Sequence, residues 1–196
     1  PADLNSLPDG MTFVGSNELD SGTMQTEEVC RLLNGKGQAV VMMGPLSNHA
    51  AQTRTEDIMQ VLKRPECNGI TITEKQVANW SRTDAHDLMT NWLTAGIEFD
   101  AVISNNDEMA IGAIQALKAS GRDMDDIVIA GIDATPDGLA AMKAGDLDIT
   151  VFQNATRQGE VAIEKAVELA AGEPVEKQIW IPFELVVPSN LTNYQP

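Results

Sequence analysis

Strand-like and helix-like segments alternate along nearly the whole sequence, and this alternation limits the folds that are open to it. In the clearest stretch, the apolar run Ala101–Ser104 ends on Asn105 and Asn106, where a helical pattern begins. The same order recurs from Ile127 to Gly138. Such alternation builds a parallel sheet with helices on both faces, and sheets of this kind bind ligands at the carboxyl ends of their strands. The sequence therefore predicts an α/β fold with a doubly wound parallel sheet and a polar ligand-binding edge.

Six strand–helix units and one final strand are predicted between residues 11 and 187. The third strand is predicted over Gly69–Thr73 and the final strand over Ile179–Val187. Glycines such as Gly121 and Gly145 follow the predicted helix ends. At 196 residues with 43% hydrophobic content, the chain can bury one good core, or one complete domain and part of another.

The charge balance argues against several classes of partner. Lys and Arg number 13 against 29 Asp and Glu, which gives a formal net charge of −16. A nucleic-acid backbone or an anionic membrane would be repelled. No apolar run approaches the roughly 20 residues that cross a bilayer, and no basic and apolar leader opens the sequence. Export would therefore depend on a signal peptide outside this sequence.

Two cysteines, Cys30 and Cys67, are the only ones in the chain. They are too few for a disulfide scaffold and too far apart in sequence for a redox or zinc motif. We interpret both as ordinary buried residues. The alternative is one bridge between the end of the first helix and the loop after the second, which an oxidising compartment permits.

Catalytic motifs are missing from the sequence. The acidic residues Asp107 and Glu108 are adjacent and cannot both aim at one substrate, and His49 and His86 lack the spacing of metal ligands. There is no Gly-x-Ser-x-Gly elbow, Walker loop or Gly-x-Gly-x-x-Gly fingerprint. The sequence predicts neither an enzyme nor a cofactor or metal site.

Four motifs in a fixed order carry a family resemblance. They are Asn106-Asp-Glu-Met-Ala with Gly112, Gly131-Ile-Asp-Ala-Thr-Pro-Asp-Gly, Lys143-Ala-Gly-Asp-Leu and Pro182-Phe-Glu-Leu-Val-Val. With these motifs, the chain from Phe13 to Val187 resembles the C-terminal part of ribose-type periplasmic sugar-binding proteins, the solute receptors of ABC importers. That family has two α/β lobes, joined by three hinge strands, with a sugar held in the cleft between them.

The resemblance implies a domain organisation. Residues 17–153 would form the C-terminal sugar-binding lobe. Residues 1–16 would enter from the N-terminal lobe through the first hinge strand, residues 154–187 would return to that lobe, and residues 188–196 would form a tail across the third hinge. Most of the N-terminal lobe would lie outside this sequence. The helix at Thr156–Ala171 would then have an apolar face that is exposed or covered by another polypeptide.

The resemblance also implies four ligand-binding residues. Asn106 and Asp133 match the family's sugar-binding Asn and Asp at two strand ends; the alternative roles are a helix cap for Asn106 and a loop cap for Asp133. Gln153 matches a Gln at the hinge, where the alternative is a plain hinge hydrogen bond. Trp80 falls where the family places an aromatic ring against the sugar. Trp92, among apolar helical residues, is expected in the core.

The sequence departs from the family at one binding position. Ribose-type proteins carry an Arg in the helix after the second strand, and here the aligned residue is Gln52, with Arg54 two residues later. Two residues on a helix lie about 200° apart, so both cannot face the cleft equally. Gln52 is the better-aligned candidate and Arg54 the chemically familiar one. A lost Arg would argue against ribose as the ligand.

Amides, a carboxylate and an indole suit a neutral or cationic polyhydroxylated ring, whereas an anionic ligand would need several Arg or Lys. The resemblance implies a pentose, hexose or cyclitol, and the segment from Val14 to Gly22 resembles inositol and rhizopine receptors. It also implies a periplasmic receptor that closes about its hinge and is recognised by an ABC permease. The rival interpretation is the effector-binding domain of a lactose-repressor-type regulator, which shares the fold and would require a helix-turn-helix upstream.

Overall fold

Strands and helices alternate along the chain in the computed structural model, which describes residues 4–194. Residues 1–3 of the predicted entry segment and residues 195–196 of the predicted tail lie outside the described residues. The elements are β1 (Phe13–Gly15), α1 (Glu18–Leu32), β2 (Lys36–Met43), α2 (His49–Val61), β3 (Gly69–Val77), α3 (Arg82–Thr94), β4 (Ala101–Ser104), α4 (Asp107–Ala119), β5 (Val128–Ala130), α5 (Pro136–Ala144), β6 (Thr150–Phe152), α6 (Ala155–Ala170), β7 (Gln178–Trp180) and β8 (Glu184–Val186).

Four parallel strands form the central sheet in the order β3-β2-β4-β5. Helices α1 and α2 pack on one face, where Val41 of β2 lies in a cluster with Val29 and Ile58. Helices α3, α4 and α5 pack on the other face, where Met42 of β2 joins Met89 and other apolar residues. Successive side chains of a strand point to opposite faces, so the apolar run of β2 supplies both clusters. The predicted doubly wound α/β fold is confirmed.

Two strand predictions need correction. The third strand, β3, continues beyond the predicted end at Thr73 to Val77, because it pairs with β2 over the full length of β2. The predicted final strand over Ile179–Val187 is two strands: β7 pairs in parallel with β1, whereas β8 pairs antiparallel with β6. Pro182, between β7 and β8, has no amide hydrogen to donate to a ladder, which explains why one continuous strand does not form.

By its internal contacts the chain divides into two compact units. The main unit comprises Glu18–Phe152 and Glu184–Pro196, and the small unit comprises Pro1–Asn17 and Gln153–Phe183. The assignment of these segments to two lobes of a longer protein stays a prediction.

Within the small unit, β1 and β7 pair side by side, and the rings of Phe13 and Trp180 lie 5.3 Å apart. Helix α6 is tied to the end of β1 by a hydrogen bond of 2.8 Å from the Gln158 amide to the Ser16 hydroxyl. Only Val161 of this helix is buried, whereas Ile163 and Val167 are 69% and 65% exposed.

The two cysteines are bonded to each other, so their interpretation as unbridged buried residues is wrong. The Cα atoms of Cys30 and Cys67 lie 5.5 Å apart, and the bridge joins the end of α1 to the loop before β3. The alignment of α1 beside α2 brings together two residues that are 37 positions apart in sequence. Among residues 4–194, no helix is long and apolar enough to cross a membrane.

Candidate ligand-binding site

Polar side chains collect at the carboxyl-terminal edge of the central sheet, where the loops after β2, β3, β4 and β5 meet. The chain turns there at Gly44, at Asn79–Trp80, at Asn105–Asn106 and at Asp133–Ala134. Each loop leads into the helix that follows it, so the side chains are positioned by rigid elements on both sides. All these loops belong to the main unit.

Arg54 of α2 lies at the centre of this group and is only 4% exposed. Its Nε donates to a carboxylate oxygen of Glu18 at 2.8 Å, and one terminal nitrogen, Nη1, donates to the carbonyl of Asn105 at 2.7 Å. The same Nη1 lies 3.6 Å from Oδ1 of Asp133, and the guanidinium carbon is 5.8 Å from the centre of the Trp80 ring. Its other terminal nitrogen, Nη2, has no hydrogen-bond partner among residues 4–194.

Gln52 lies apart from this group. Its side-chain amide donates to the carbonyl of Leu46, and the residue is exposed. It lines a separate cavity of about 390 Å³ together with Met59 and Lys75. Arg54 therefore contacts Asp133 and Trp80, two of the other predicted site residues, and Gln52 contacts neither. The rotation of about 200° between the two positions on the helix accounts for the difference.

The Asp133 carboxylate follows β5 in an unusual backbone conformation. Asp133 and Ala134 have φ values of 116° and 51°, which non-glycine residues rarely adopt. The side chain keeps 28% of its surface exposed. Burial raises the pKa of Asp133 to about 6, while the charge of Arg54 acts in the opposite direction. A partly exposed carboxylate beside a buried Arg is able to accept hydrogen bonds from a ligand's hydroxyls.

The Trp80 loop has a similar left-handed pair. Asn79 and Trp80 have φ values of 53° and 61°. The Asn79 amide donates to Asp84 at 2.9 Å, and the Ser81 hydroxyl caps α3, which fixes the turn locally. A Cβ at Gly44 would lie 2.2 Å from the nearest ring atom of Trp80, so the indole lies directly on the Gly44 backbone. Trp92, by contrast, lies in the core as predicted.

Asn106 caps helix α4, the alternative that the sequence offered. Its side-chain oxygen accepts from the amide of Met109 at 3.0 Å. The side-chain nitrogen has no partner among the described residues, so the cap leaves a donor for a ligand. Gln153 follows β6 and belongs to the small unit, and its role in binding stays a prediction.

Sequence reasoning missed several residues that shape this edge. Asn105 is fully buried, and its side-chain oxygen accepts from the Gly44 amide at 3.2 Å and the Thr55 hydroxyl at 3.0 Å. Gln25 of α1 donates to the carbonyls of Ser104 and Gly131, which joins the ends of β4 and β5. Gln25 gives no signal in the sequence, because its partners lie 79 and 106 positions away. Among residues 4–194, no cluster of three His, Cys, Asp or Glu side chains is placed to hold a metal ion.

The comparisons with known proteins decide the family. The model of the periplasmic binding protein domain matches residues 4–174. The chain belongs to the periplasmic binding protein family. A protein of Rhizobium meliloti named "putative rhizopine-binding protein" is 62% identical over 195 residues, which cover 100% of this chain and 63% of that relative. A xylitol-binding protein of Mycolicibacterium smegmatis is 37% identical over 86% of this chain and 48% of its own length.

Solved structures of the periplasmic binding protein family show the same fold. An ABC transporter solute-binding protein from Bacillus halodurans with bound myo-inositol matches with a TM-score of 0.89 and 48% identity, over 93% of this chain and 62% of that one. The resemblance stated from the sequence motifs is confirmed. The chain spans about 60% of the length of the rhizopine-binding relative and of the inositol-bound structure. Both of these relatives are binding proteins by name.

Proposed function

We propose that this chain is part of the solute-binding receptor of a carbohydrate ABC importer, and that it binds a cyclitol or sugar at the carboxyl edge of the central sheet. The observation that carries the proposal is the group formed by Arg54, Asp133 and Trp80. It sets a donor, an acceptor and a flat ring side by side. The relative with bound myo-inositol, at 48% identity, supports a cyclitol.

Each group has a defined part in this proposal. The Asp133 carboxylate accepts from adjacent hydroxyls through charge-assisted bonds worth about 1.5–3 kcal/mol each. The free Nη2 of Arg54 and the free side-chain nitrogen of Asn106 donate to ring oxygens. The Trp80 indole packs against the C–H face of the ligand ring.

The local charge favours neutral or cationic ligands. The single positive charge of Arg54 faces two carboxylates, those of Glu18 and Asp133. A ligand with a carboxylate or phosphate would add a negative charge beside Asp133, where the positive charge of Arg54 is already paired with two carboxylates. A neutral polyol or an amino-cyclitol meets no such repulsion, and an ammonium group would be attracted to Asp133.

A second lobe is part of the proposal. The exposed Ile163 and Val167 of α6 form an apolar face, and the chain spans only 63% of the rhizopine-binding relative. We propose that an N-terminal lobe covers this face and supplies the other wall of the site, with Gln153 at the hinge. The ligand then stabilises the closed form by its greater affinity for that form, and a permease recognises it. This places the protein in the bacterial periplasm and assigns it no catalysis.

Isothermal calorimetry of the full-length protein tests the proposal with myo-inositol, an amino-inositol, ribose and galactose. We expect tight binding of one polyol, weakened about 10- to 100-fold by Asp133→Ala and by Trp80→Ala. Gln52→Ala, an exposed residue on the same helix as Arg54, is the matched control and should leave the affinity within about 2-fold.

Two outcomes would contradict the proposal. Affinity that is unchanged in both Asp133→Ala and Trp80→Ala would show that the ligand binds elsewhere. No binding of any polyol would favour the effector domain of a lactose-repressor-type regulator, which a DNA-binding assay of the full-length protein would then test.

A further inference from the structure

The carboxylate of Asp107 lies beneath the proposed site and is completely buried. It begins helix α4, directly after the capping residue Asn106. One oxygen, Oδ2, accepts from the amide of Thr135 at 2.8 Å and from the Thr135 hydroxyl at 3.3 Å. The other, Oδ1, accepts from the Thr150 hydroxyl at 2.7 Å. A buried carboxylate is costly unless it is fully hydrogen-bonded, and this one is bonded at both oxygens.

These bonds hold the turn that carries Asp133. The Thr150 hydroxyl accepts from the amide of Ala134 at 3.1 Å, so Asp107 is linked to that amide through the Thr150 side chain. The amide of Thr135 donates to Asp107 directly. The amide of Asp107 itself donates to the carbonyl of Ile132 at 2.8 Å. Asp107 therefore hydrogen-bonds the backbone on both sides of Asp133 and Ala134, the two residues with positive φ. Non-glycine residues disfavour that conformation, so it needs support from the surrounding structure.

Two glycines make room for this carboxylate. A Cβ at Gly131 would lie 2.2 Å from Oδ1 of Asp107, and a Cβ at Gly138 would lie 2.3 Å from Oδ2. The space is thus fitted to a carboxylate on a short side chain. Gly131 precedes the turn and Gly138 lies in the first turn of α5, so the fit spans the whole loop.

The hydrogen-bond directions select a carboxylate rather than an amide. The Thr135 hydroxyl accepts from the amide of Gly138, and the Thr150 hydroxyl accepts from Ala134, so both hydroxyl hydrogens are left to point at Asp107. All the hydrogen-bond partners that the described residues give the Asp107 carboxylate are donors. An Asn in its place would bring its own hydrogens against one of these donors and lose at least one bond.

We propose that Asp107 is a positioning residue of the binding site, which holds the left-handed turn so that the Asp133 carboxylate faces the ligand. This inference rests on the proposed function, because Asp107 does not contact the ligand and affects binding only through Asp133. The loop after β5 is then a preformed acceptor for hydroxyls, and ligand binding does not have to order it.

The test is Asp107→Asn in the full-length protein, with Asp57→Asn as the matched control. Asp57 is also a buried aspartate of the main unit, and it accepts from the Thr23 hydroxyl at 2.6 Å between α1 and α2. Two properties are measured: the backbone amide resonances of Ala134 and Thr135 without ligand, and the affinity for myo-inositol by calorimetry.

In Asp107→Asn we expect both amide resonances to shift and the affinity to fall at least about 10-fold, the effect of one lost charge-assisted bond. Asp57→Asn should leave both amides and the affinity unchanged. Thr150→Val removes only the bridging hydroxyl and should shift the Ala134 amide resonance more than that of Thr135. This second variant tests the inference if Asp107→Asn does not fold.

Unchanged amides and unchanged affinity in Asp107→Asn would overturn the inference. Equal losses of affinity in Asp107→Asn and Asp57→Asn would also overturn it, because they would show that Asp107 only contributes to the overall stability of the main unit. If the wild-type protein binds no polyol, the proposed function fails, and the amide resonances alone then decide whether Asp107 holds the turn.

Discussion

The main unit and the small unit of this chain both contain amphipathic helices, but the apolar faces of these helices are buried to different extents. In the main unit, the helices on both faces of the sheet are buried against two apolar clusters, and a disulfide joins α1 to the loop before β3. In the small unit, α6 buries Val161 alone and exposes Ile163 and Val167. The difference shows that an amphipathic pattern predicts a helix with an apolar face but does not say what covers that face.

The largest expected effect is loss of the disulfide of the main unit. The bridge closes a loop of 37 residues, and the chain-entropy relation gives about 4 kcal/mol for a loop of that size. We expect the double variant Cys30→Ala/Cys67→Ala to lose about this much free energy of unfolding in urea denaturation. Reduced wild-type protein should show a similar loss. A loss below about 1 kcal/mol would mean that packing alone holds α1 and α2 together.

The buried carboxylates of the main unit should make its stability depend on pH. Burial raises the pKa of Asp107 to about 7, although its hydrogen bonds with Thr150 and Thr135 act in the opposite direction. An unfolded Asp titrates near 3.9, so between pH 4 and pH 7 the folded state binds more protons than the unfolded state. The free energy of unfolding therefore falls as the pH rises through this range, and the contribution of Asp107 is about 2–4 kcal/mol.

Urea denaturation at pH 4.5 and pH 7.5 measures this dependence. Asp107→Asn removes the titrating group and should reduce the loss of stability between the two pH values, whatever it does to stability at either one. An equal loss in the variant and the wild type would assign the pH dependence to other groups, such as Asp133, whose pKa burial raises to about 6.

Gly112 provides the next test of close packing in the main unit. It lies within α4, and a Cβ there would be 2.2 Å from the backbone carbonyl oxygen of Arg82 in α3. Gly112→Ala gains helix propensity, but it forces the two helices apart. We expect a net loss of about 1–3 kcal/mol in the free energy of unfolding. A gain in stability would mean that α3 and α4 separate easily.

Gly159 of α6 should respond to the same substitution with the opposite sign. A Cβ there would meet nothing within 4 Å, so only the helix propensity changes. Gly159→Ala should raise the stability of the chain by about 0.5–1 kcal/mol. Urea denaturation of the two variants side by side compares the units directly, and a loss in Gly159→Ala would show that this surface is covered in solution.

Much of the fold followed from the sequence, because its signals are local. Strand β4 covers the predicted run Ala101–Ser104, all of it buried. Helices α4 and α5 end shortly before Gly121 and Gly145, the glycines that marked predicted helix ends. The final strand was mispredicted because pairing partners decide it: the residues on either side of Pro182 join different ladders.

The candidate site was less predictable, because its contacts are long-range. The family resemblance named Asn106, Asp133 and Trp80, and the structure brings Asp133 and Trp80 together around Arg54. The choice between Gln52 and Arg54 depends on the rotation of α2 about its axis, which an alignment by position does not supply. From the sequence, Asp107 was noted only as the neighbour of Glu108 and as part of the Asn106 motif, since its partners Thr135 and Thr150 lie 28 and 43 positions away.

The smallest expected effect concerns the exposed face of α6. Ile163 is 69% exposed, so Ile163→Ser removes little buried surface and should change the free energy of unfolding of this chain by less than about 0.5 kcal/mol. The proposed N-terminal lobe changes that expectation, because burying an Ile side chain stabilises a protein by about 1.5–3 kcal/mol. In the full-length protein the same substitution should therefore be destabilising by about that amount. Val161→Ser, at a position only 4% exposed in this chain, is the control and should be destabilising in both. If Ile163→Ser is neutral in both proteins, the apolar face of α6 is not covered by the second lobe.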